Sequence, residues 1–401
     1  MQAPAFARFR PLRTASSRLR LRAAAIAPIA LAAVAWGVLA TNGERYLNRV
    51  AGDPLPDVSA AALALHAASF VADLHADSLL FGRDLTRRSR TGHVDLPRLR
   101  LGNVALQVFA IATSAPAGIN IDRNEPGALD LVRLAFCVRL ARGCLGGPFA
   151  RVEGQAARFA RLVARDPDLV WVRTAADLAD LRGRHAGNPR ALGALLSIEG
   201  AHALEGVPAN LERAFALGVR MIGLAHFTDN DYVGSAHGVD KGGITELGRR
   251  TLARMEELGI AADLAHVAPA AIDDVLAIAR KPVLVSHGGV KGTCDNARTL
   301  SDAHVRAIAA TGGVIGIGYW RDAVCGTAPR DIARAIRYAV DLVGDEYVAL
   351  GSDYDGAITV AFDASQLAVL TQAMLDTGIA RGSIAKILGE NAARVLAQTL
   401  P

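Results

Sequence analysis

Phe70-Val71-Ala72-Asp73-Leu74-His75-Ala76-Asp77 is an apolar run that ends in an imidazole and a carboxylate two residues apart. Read as a strand, its period of two sends His75 and Asp77 to the same side. An imidazole and a carboxylate converging at a strand end suit a divalent cation of borderline softness, zinc above all. By itself the pair says little, because His-x-Asp is common where a strand enters a loop. Its meaning comes from what repeats after it.

Seven more short apolar runs follow, at 104–111, 192–198, 219–225, 260–264, 282–286, 313–318 and 347–351. Stretches with helical spacing separate the later ones, at 208–217, 245–258, 269–279, 302–310 and 330–343. Earlier helices are expected at 59–69, 129–142, 151–164 and, behind a Thr174 cap, 175–181. Eight strands alternating with helices predict the α/β class and a (β/α)8 TIM-type barrel. A doubly wound open sheet is the alternative, since a strand count does not prove closure. Residues 363–400 are expected as terminal helices on the outside of the barrel.

The run exits carry the chemistry. They deliver His75 and Asp77, Glu199, His226, His266, His287, and Asp353 with Asp355 two residues on. Parallel barrel strands share one exit rim, the rim on which barrel enzymes build their sites. Four of ten histidines at four strand exits, joined by carboxylates, point to a common centre. The remaining six, His66, His93, His185, His202, His237 and His304, read as ordinary structural or loop histidines. His75, Asp77, Glu199, His266 and His287 form a ligand set for two Zn2+ bridged by a carboxylate and a water or hydroxide. His226 and Asp353 are then free for oxyanion stabilisation and proton transfer. Arg298 can pair a substrate carboxylate bidentately.

The chain of 401 residues, 51% hydrophobic, is long enough for such a barrel. Its net charge of +5 is misleading. Six arginines (Arg8, Arg10, Arg13, Arg18, Arg20 and Arg22) precede the first acidic residue, Glu44, and leave the rest of the chain at a net −1. A near-neutral body gives no footprint for nucleic acid. Those arginines lead into 23–40, eighteen residues without a charge, the pattern of an export signal or a membrane anchor. The expected organisation is a basic segment 1–22, a transmembrane anchor or signal core 23–40, a linker and leading helix 41–69, and a catalytic domain 70–400. The flanking arginines hold the N-terminus in the cytoplasm and place the body on the periplasmic or extracellular side, anchored, or secreted if the segment is cleaved. Four cysteines, Cys137, Cys144, Cys294 and Cys325, fit an exported protein, and spacing leaves three pairings open.

With these residues in view, the chain resembles the membrane dipeptidase (renal or microsomal dipeptidase) family of zinc-dependent barrels. The motifs that carry the resemblance are Asp73-Leu74-His75-Ala76-Asp77, Gly92-His93-Val94-Asp95-Leu96-Pro97-Arg98, Ser197-Ile198-Glu199-Gly200-Ala201-His202, Gly243-Ile244-Thr245-Glu246-Leu247-Gly248, Asp263-Leu264-Ala265-His266-Val267, Pro282-Val283-Leu284-Val285-Ser286-His287 and Gly351-Ser352-Asp353-Tyr354-Asp355-Gly356. The resemblance implies hydrolysis of dipeptides, with D-residues tolerated at the C-terminal position. His75 and Asp77 would hold one zinc, His266 and His287 the other, and Glu199 would bridge them. His226 would stabilise the tetrahedral intermediate, Arg298 hold the substrate carboxylate, and Asp353 shuttle the proton to the leaving amine. A homodimer is implied as well. Departures fall at Gly223-Leu224-Ala225-His226, where the family usually has Leu-Thr-His, at Ala297-Arg298-Thr299-Leu300, and at Trp320, where it often has Tyr. These bear on which substrate fits. The competing functions are a two-zinc hydrolase of another small carbonyl compound, such as a lactone or cyclic amide, and a membrane-tethered binding protein without chemistry.

Overall fold

All eight apolar runs form strands: β1 (Val71–Ala76), β2 (Val104–Ala112), β3 (Leu192–Glu199), β4 (Val219–Gly223), β5 (Ala261–Asp263), β6 (Leu284–Val290), β7 (Val314–Ile317) and β8 (Val348–Leu350). Every pairing between neighbours is parallel, β8 pairs β1, and β6 pairs β7, so the sheet closes on itself. The open-sheet alternative is thereby excluded. The computed structural model describes residues 43–139, 141 and 143–401. The expectations for 1–22 and 23–40 lie outside these residues; among the described ones, no helix is long and apolar enough to cross a membrane.

Leu74, Val108, Leu195, Met221, Ala261, Leu284, Val314 and Ala349, one from each strand, belong to a single buried cluster that fills the barrel. Larger aliphatic residues on the other faces pack against the helices. With few aromatic residues available, Ala, Val, Leu and Ile interdigitate at crystal-like density. The helices begin where the caps predict. Ser59 accepts from the Ala62 amide ahead of Ala60–Ala67, and Thr174 makes a capping box with Asp177 ahead of Ala175–Gly187. Thr245 caps Glu246–Leu258, and Pro opens Pro148–Arg165, Pro208–Ala216, Pro269–Ile278 and Pro329–Val343.

Four differences from the sequence reading have physical reasons. First, Asn391–Thr399 does not lie on the flank. Its Ala392, Val395 and Leu396 join the barrel-filling cluster, and Arg394 donates to the Gly312 and Glu346 carbonyls, just ahead of β7 and β8. This helix closes the amino-terminal mouth, where the apolar filling would otherwise meet water. Second, 41–69 is not merely a linker and helix: Arg49–Val50 pairs in parallel with Thr359–Val360. Third, a short strand, Leu169–Trp171, pairs with β3 outside the eight-strand circuit. Fourth, the helix expected over 129–142 spans only Leu131–Val138, behind the Asp130 cap. The cysteines pair Cys137 with Cys144 and Cys294 with Cys325.

The closing helix is entered through Gly389, where a side-chain Cβ would come within 2.0 Å of the Phe70 carbonyl oxygen and 2.7 Å of the Ala72 nitrogen. Both are backbone atoms of β1 or its approach and cannot swing away. Gly389→Ala is expected to destabilise the fold by about 1–3 kcal/mol. An unchanged urea midpoint would show that the C-terminal seam has slack.

Candidate metal centre

At the carboxyl-terminal rim the predicted side chains meet. The Glu199 Oε1 atom lies 3.6 Å from His75 Nε2, 3.2 Å from His266 Nε2 and 3.5 Å from His287 Nε2. His75 Nε2 is 3.4 Å from Asp77 Oδ2 and 4.0 Å from Asp353 Oδ1. His226 Nε2 is 3.3 Å from Glu199 Oε2. Three overlapping sets of ligand atoms converge: His75 with Asp77 and Glu199, His75 with His287 and Asp353, and Glu199 with His226 and His266. All seven residues are buried. Asp355 does not join them. It turns away to Ser78, Arg83 and the His93 amide, a structural junction below the rim.

The backbone aims these groups at some cost. His266 and Asp353 both adopt left-handed conformations, with φ of 65° and 60°. Such residues cost about 1–3 kcal/mol each and cluster at functional sites. In β1 the register against β2 slips between Asp73 and Ala76, where the strand leaves the barrel wall and delivers His75 and Asp77 together.

A supporting layer fixes the imidazoles. Asp263 accepts from the Ser286 amide at 2.8 Å and from the Ser286 hydroxyl at 2.6 Å. With its proton committed to Asp263, the Ser286 hydroxyl accepts from His287 Nδ1 at 2.8 Å. That tautomer leaves a bare lone pair on His287 Nε2, facing His266 Nε2 at 3.1 Å. His226 Nδ1 donates to the Ser114 carbonyl at 2.9 Å, which likewise bares its Nε2. On β1, Asp73 accepts from the Ser352 amide at 2.7 Å and the Ser352 hydroxyl at 2.6 Å, tying the first strand's exit to the last.

The electrostatics call for positive charge. Burial, and then Asp77, push Glu199 well above the usual carboxylate range. Burial also pushes Asp353 up to about 8, against the pull of His75. Burial alone would hold His75 neutral, but Glu199 and Asp77 outweigh it and raise His75 to about 10. Burial, then the Arg298 charge, holds His266 well below its ordinary value; burial, then His75, does the same to His287. Crowded carboxylates beside neutral imidazoles are the donor set of a cation site. His75 Nε2 and Asp77 Oδ1 are buried without a hydrogen-bond partner, as ligand atoms would be. The residues fit divalent cations.

Arg298 reaches the same place. Its Nη2 donates to the His287 carbonyl at 2.9 Å, and its guanidinium sits 5.3 Å from the centre of the Trp320 ring. Trp320 in turn lies 5.9 Å from the His287 ring. All predicted site residues are thus within one cluster. The sequence reading missed Asp263, Ser286 and Asp73; the available signal was a carboxylate or hydroxyl inside an apolar run, where an unpaired polar group is costly. It also left His202 and His237 among the ordinary histidines, yet both line the site. His202 stacks on His226 with ring centres 6.3 Å apart, and the His237 ring lies 5.2 Å from that of His266.

Burial holds His202 down to about 4, with Asp130 pulling weakly the other way. The unfolded chain therefore takes up this proton first. The stability contributed is complete above about pH 6.5 and is lost as pH falls toward about 4. With a chelator present, His202→Asn is expected to flatten the wild-type loss between pH 7.5 and 5 by about 2 kcal/mol. Parallel urea-midpoint profiles for the two proteins would contradict this assignment.

A closed parallel barrel with buried His, Asp and Glu ligands converging on its carboxyl-terminal rim is a barrel metalloenzyme. The family is fixed by comparison: the model of the membrane dipeptidase family, peptidase family M19, matches residues 59–400, and the chain belongs to that family. It is a dipeptidase of the metallopeptidase class. The chain is 29% identical over 331 residues to the dipeptidase aclJ of Aspergillus oryzae, covering 77% of this chain and 73% of that protein. It is 30% identical over 212 residues to the dipeptidase verJ of Clonostachys rogersoniana, covering 51% of this chain and 55% of that one. Among solved structures, a metallopeptidase from Rhodobacter sphaeroides liganded with a phosphinate mimic of L-Ala-D-Ala superposes with a TM-score of 0.67 at 24% identity, over 82% of this chain and 99% of that one. The probable dipeptidase PvdM from Pseudomonas aeruginosa superposes with a TM-score of 0.70 at 20% identity, over 84% of this chain and 97% of that one.

Proposed function

We propose that this protein is a binuclear zinc dipeptidase, with His75 and Asp77 on one ion, His266 and His287 on the other, and Glu199 between them. The observation that carries the reading is the Glu199 carboxylate, within 3.6 Å of His75 Nε2 and within 3.5 Å of both His266 Nε2 and His287 Nε2. The all-N/O ligand set and tight spacing favour zinc. Bound there, the ions supply Lewis acidity and an acidified water for attack on a carbonyl carbon.

The chain's own residues do the rest. Arg298 holds the dipeptide's C-terminal carboxylate and sets which bond lies over the centre. His226 keeps its first proton on Nδ1, because the Ser114 carbonyl only accepts. Burial, and then His202, hold the ring well below its ordinary value, so its Nε2 donates to the carbonyl oxygen only where developing negative charge there draws a second proton onto the ring. Asp353, whose Oδ1 lies 4.0 Å from His75 Nε2, takes up the proton that the attacking water gives up and passes it to the departing amine. Tolerance of a C-terminal D-residue is part of this reading, supported by the L-Ala-D-Ala mimic bound to the Rhodobacter relative. So is export behind an anchor at 23–40, supported by two disulfides that suit an oxidising compartment. A homodimer is included too; Leu131 and Leu134, exposed one turn apart on the helix Leu131–Val138, offer it apolar surface.

The test is a metal count on the purified full chain together with a panel of L-Ala-D-Ala, L-Ala-L-Ala, glycyl dipeptides and a lactone. Two zinc ions per chain and turnover of dipeptides are expected. Two bound ions with turnover of the lactone alone would transfer the assignment to the competing hydrolase.

A further inference from the structure

A cavity of about 880 Å³ lies away from the metal centre. It opens between the helix Pro148–Arg165 and the loop after β1, and no proposed metal ligand lines it. Five arginines do: Arg83, Arg139, Arg158, Arg161 and Arg165. Against them stand two lining carboxylates, both engaged elsewhere. Asp84 accepts from the amide and hydroxyl of Thr86, and Glu153 pairs with Arg213 at 2.6 Å. Among the described residues, Arg158 donates to the backbone carbonyls of Leu79 and Arg83, and Arg139 to that of Ala135. Burial, and then Arg83 and Arg139, push Arg158 down to about 10. The Arg83 side chain is largely buried and ion-paired to Glu44 and Asp355, while its Nη1 has no hydrogen-bond partner among the described residues. The charge is thus already paired, but an open N–H on a buried guanidinium is costly, and an acceptor oxygen in the cavity would complete it.

We propose that this cavity is a binding site for an organic phosphate. Three of the arginines, at 158, 161 and 165, repeat along one face of a single helix, and Arg83 approaches from the facing loop. Several planar forks converging on one space match the oxygens and multiple charge of a phosphoryl group better than a single carboxylate. The volume exceeds that of a bare phosphate, and Leu79, Leu85, Phe136 and Leu162 supply apolar wall for an organic body. The phosphate comes either from a soluble ester or from an anionic lipid headgroup. The second source is relevant because Glu44, the partner of Arg83, follows the apolar run 23–40 by four residues.

Calorimetric titration of the full chain with phenyl phosphate, benzoate and short-chain dihexanoyl phosphatidylglycerol tests this. Saturable binding of a phosphate probe is expected. The double variant Arg161→Glu with Arg165→Glu is expected to weaken it at least about tenfold. Arg306→Glu, the same charge change on another exposed helix, is expected to leave it intact. Dependence on Arg161 and Arg165 also separates this site from phosphate bound at the metal centre. Tighter binding of the lipid assigns the lipid source, and tighter binding of phenyl phosphate the soluble one. Benzoate binding as tightly as phenyl phosphate, affinity indifferent to the double variant, or no saturation by ~10 mM of either phosphate would overturn the proposal.

Discussion

Glu199→Ala is expected to abolish dipeptide hydrolysis while leaving the barrel folded. The carboxylate is within ion-pair reach of His75, His226, His266 and His287 at once, which puts it in contact with both halves of the proposed ligand set. Its loss is expected to lower the metal content by at least one ion per chain and kcat/KM by at least ~10³-fold, about 4 kcal/mol of transition-state stabilisation. The sign for the metal-free fold is opposite. Burial and the Asp77 charge make Glu199 an electrostatic burden there, so removing it is expected to raise the urea midpoint or leave it unchanged. Metal analysis and unfolding on the same preparation distinguish the two effects. A variant that keeps two ions and more than a tenth of the activity would refute the bridging role.

Arg298→Ala is expected to cost about 10²–10³-fold in kcat/KM, carried mainly by KM. The guanidinium is buried between Trp320 and the metal ligands, where a carboxylate pair is poorly screened. A dipeptide with its C-terminus amidated lacks the partner charge and should lose far less on the same substitution. Arg298→Lys keeps the charge without the fork and should fall between. If acid and amide substrates suffer equally, Arg298 acts by holding the His287 carbonyl in place and does not recognise the substrate carboxylate.

Much of this centre was legible in the sequence. Each metal-capable residue stands at the exit of an apolar run, and a parallel barrel sends every exit to one rim. Linear position therefore becomes spatial position without knowledge of the side-chain packing. The supporting layer was harder to read. Asp263 and Ser286 sit inside their runs and look like interruptions until the hydrogen bond between them shows that two neighbouring strands share one polar contact. His202 and His237 were passed over because they come after the strands, in loops whose return to the centre depends on turns such as the left-handed Glu205. The arginine cavity had only a partial linear signature: Arg158, Arg161 and Arg165 share one helix face, but Arg83 and Arg158 are far apart in the chain, and forty arginines hide any five.

The sequence alone determined the class of fold and which metal-capable residues stand at the strand exits, because alternation of apolar runs and helices admits few architectures and each run's end is a local property. Tertiary structure decided closure of the barrel, the helix that seals its amino-terminal mouth, the partners of the cysteines, the tautomers that bare His287 and His226, and the second, arginine-lined cavity. The Cys137–Cys144 bridge and the Ser286–His287 hydrogen bond are local in sequence, and the rest arise from contacts between segments distant in the chain. Such contacts are selected by the packing of the whole core, and no local pattern encodes them.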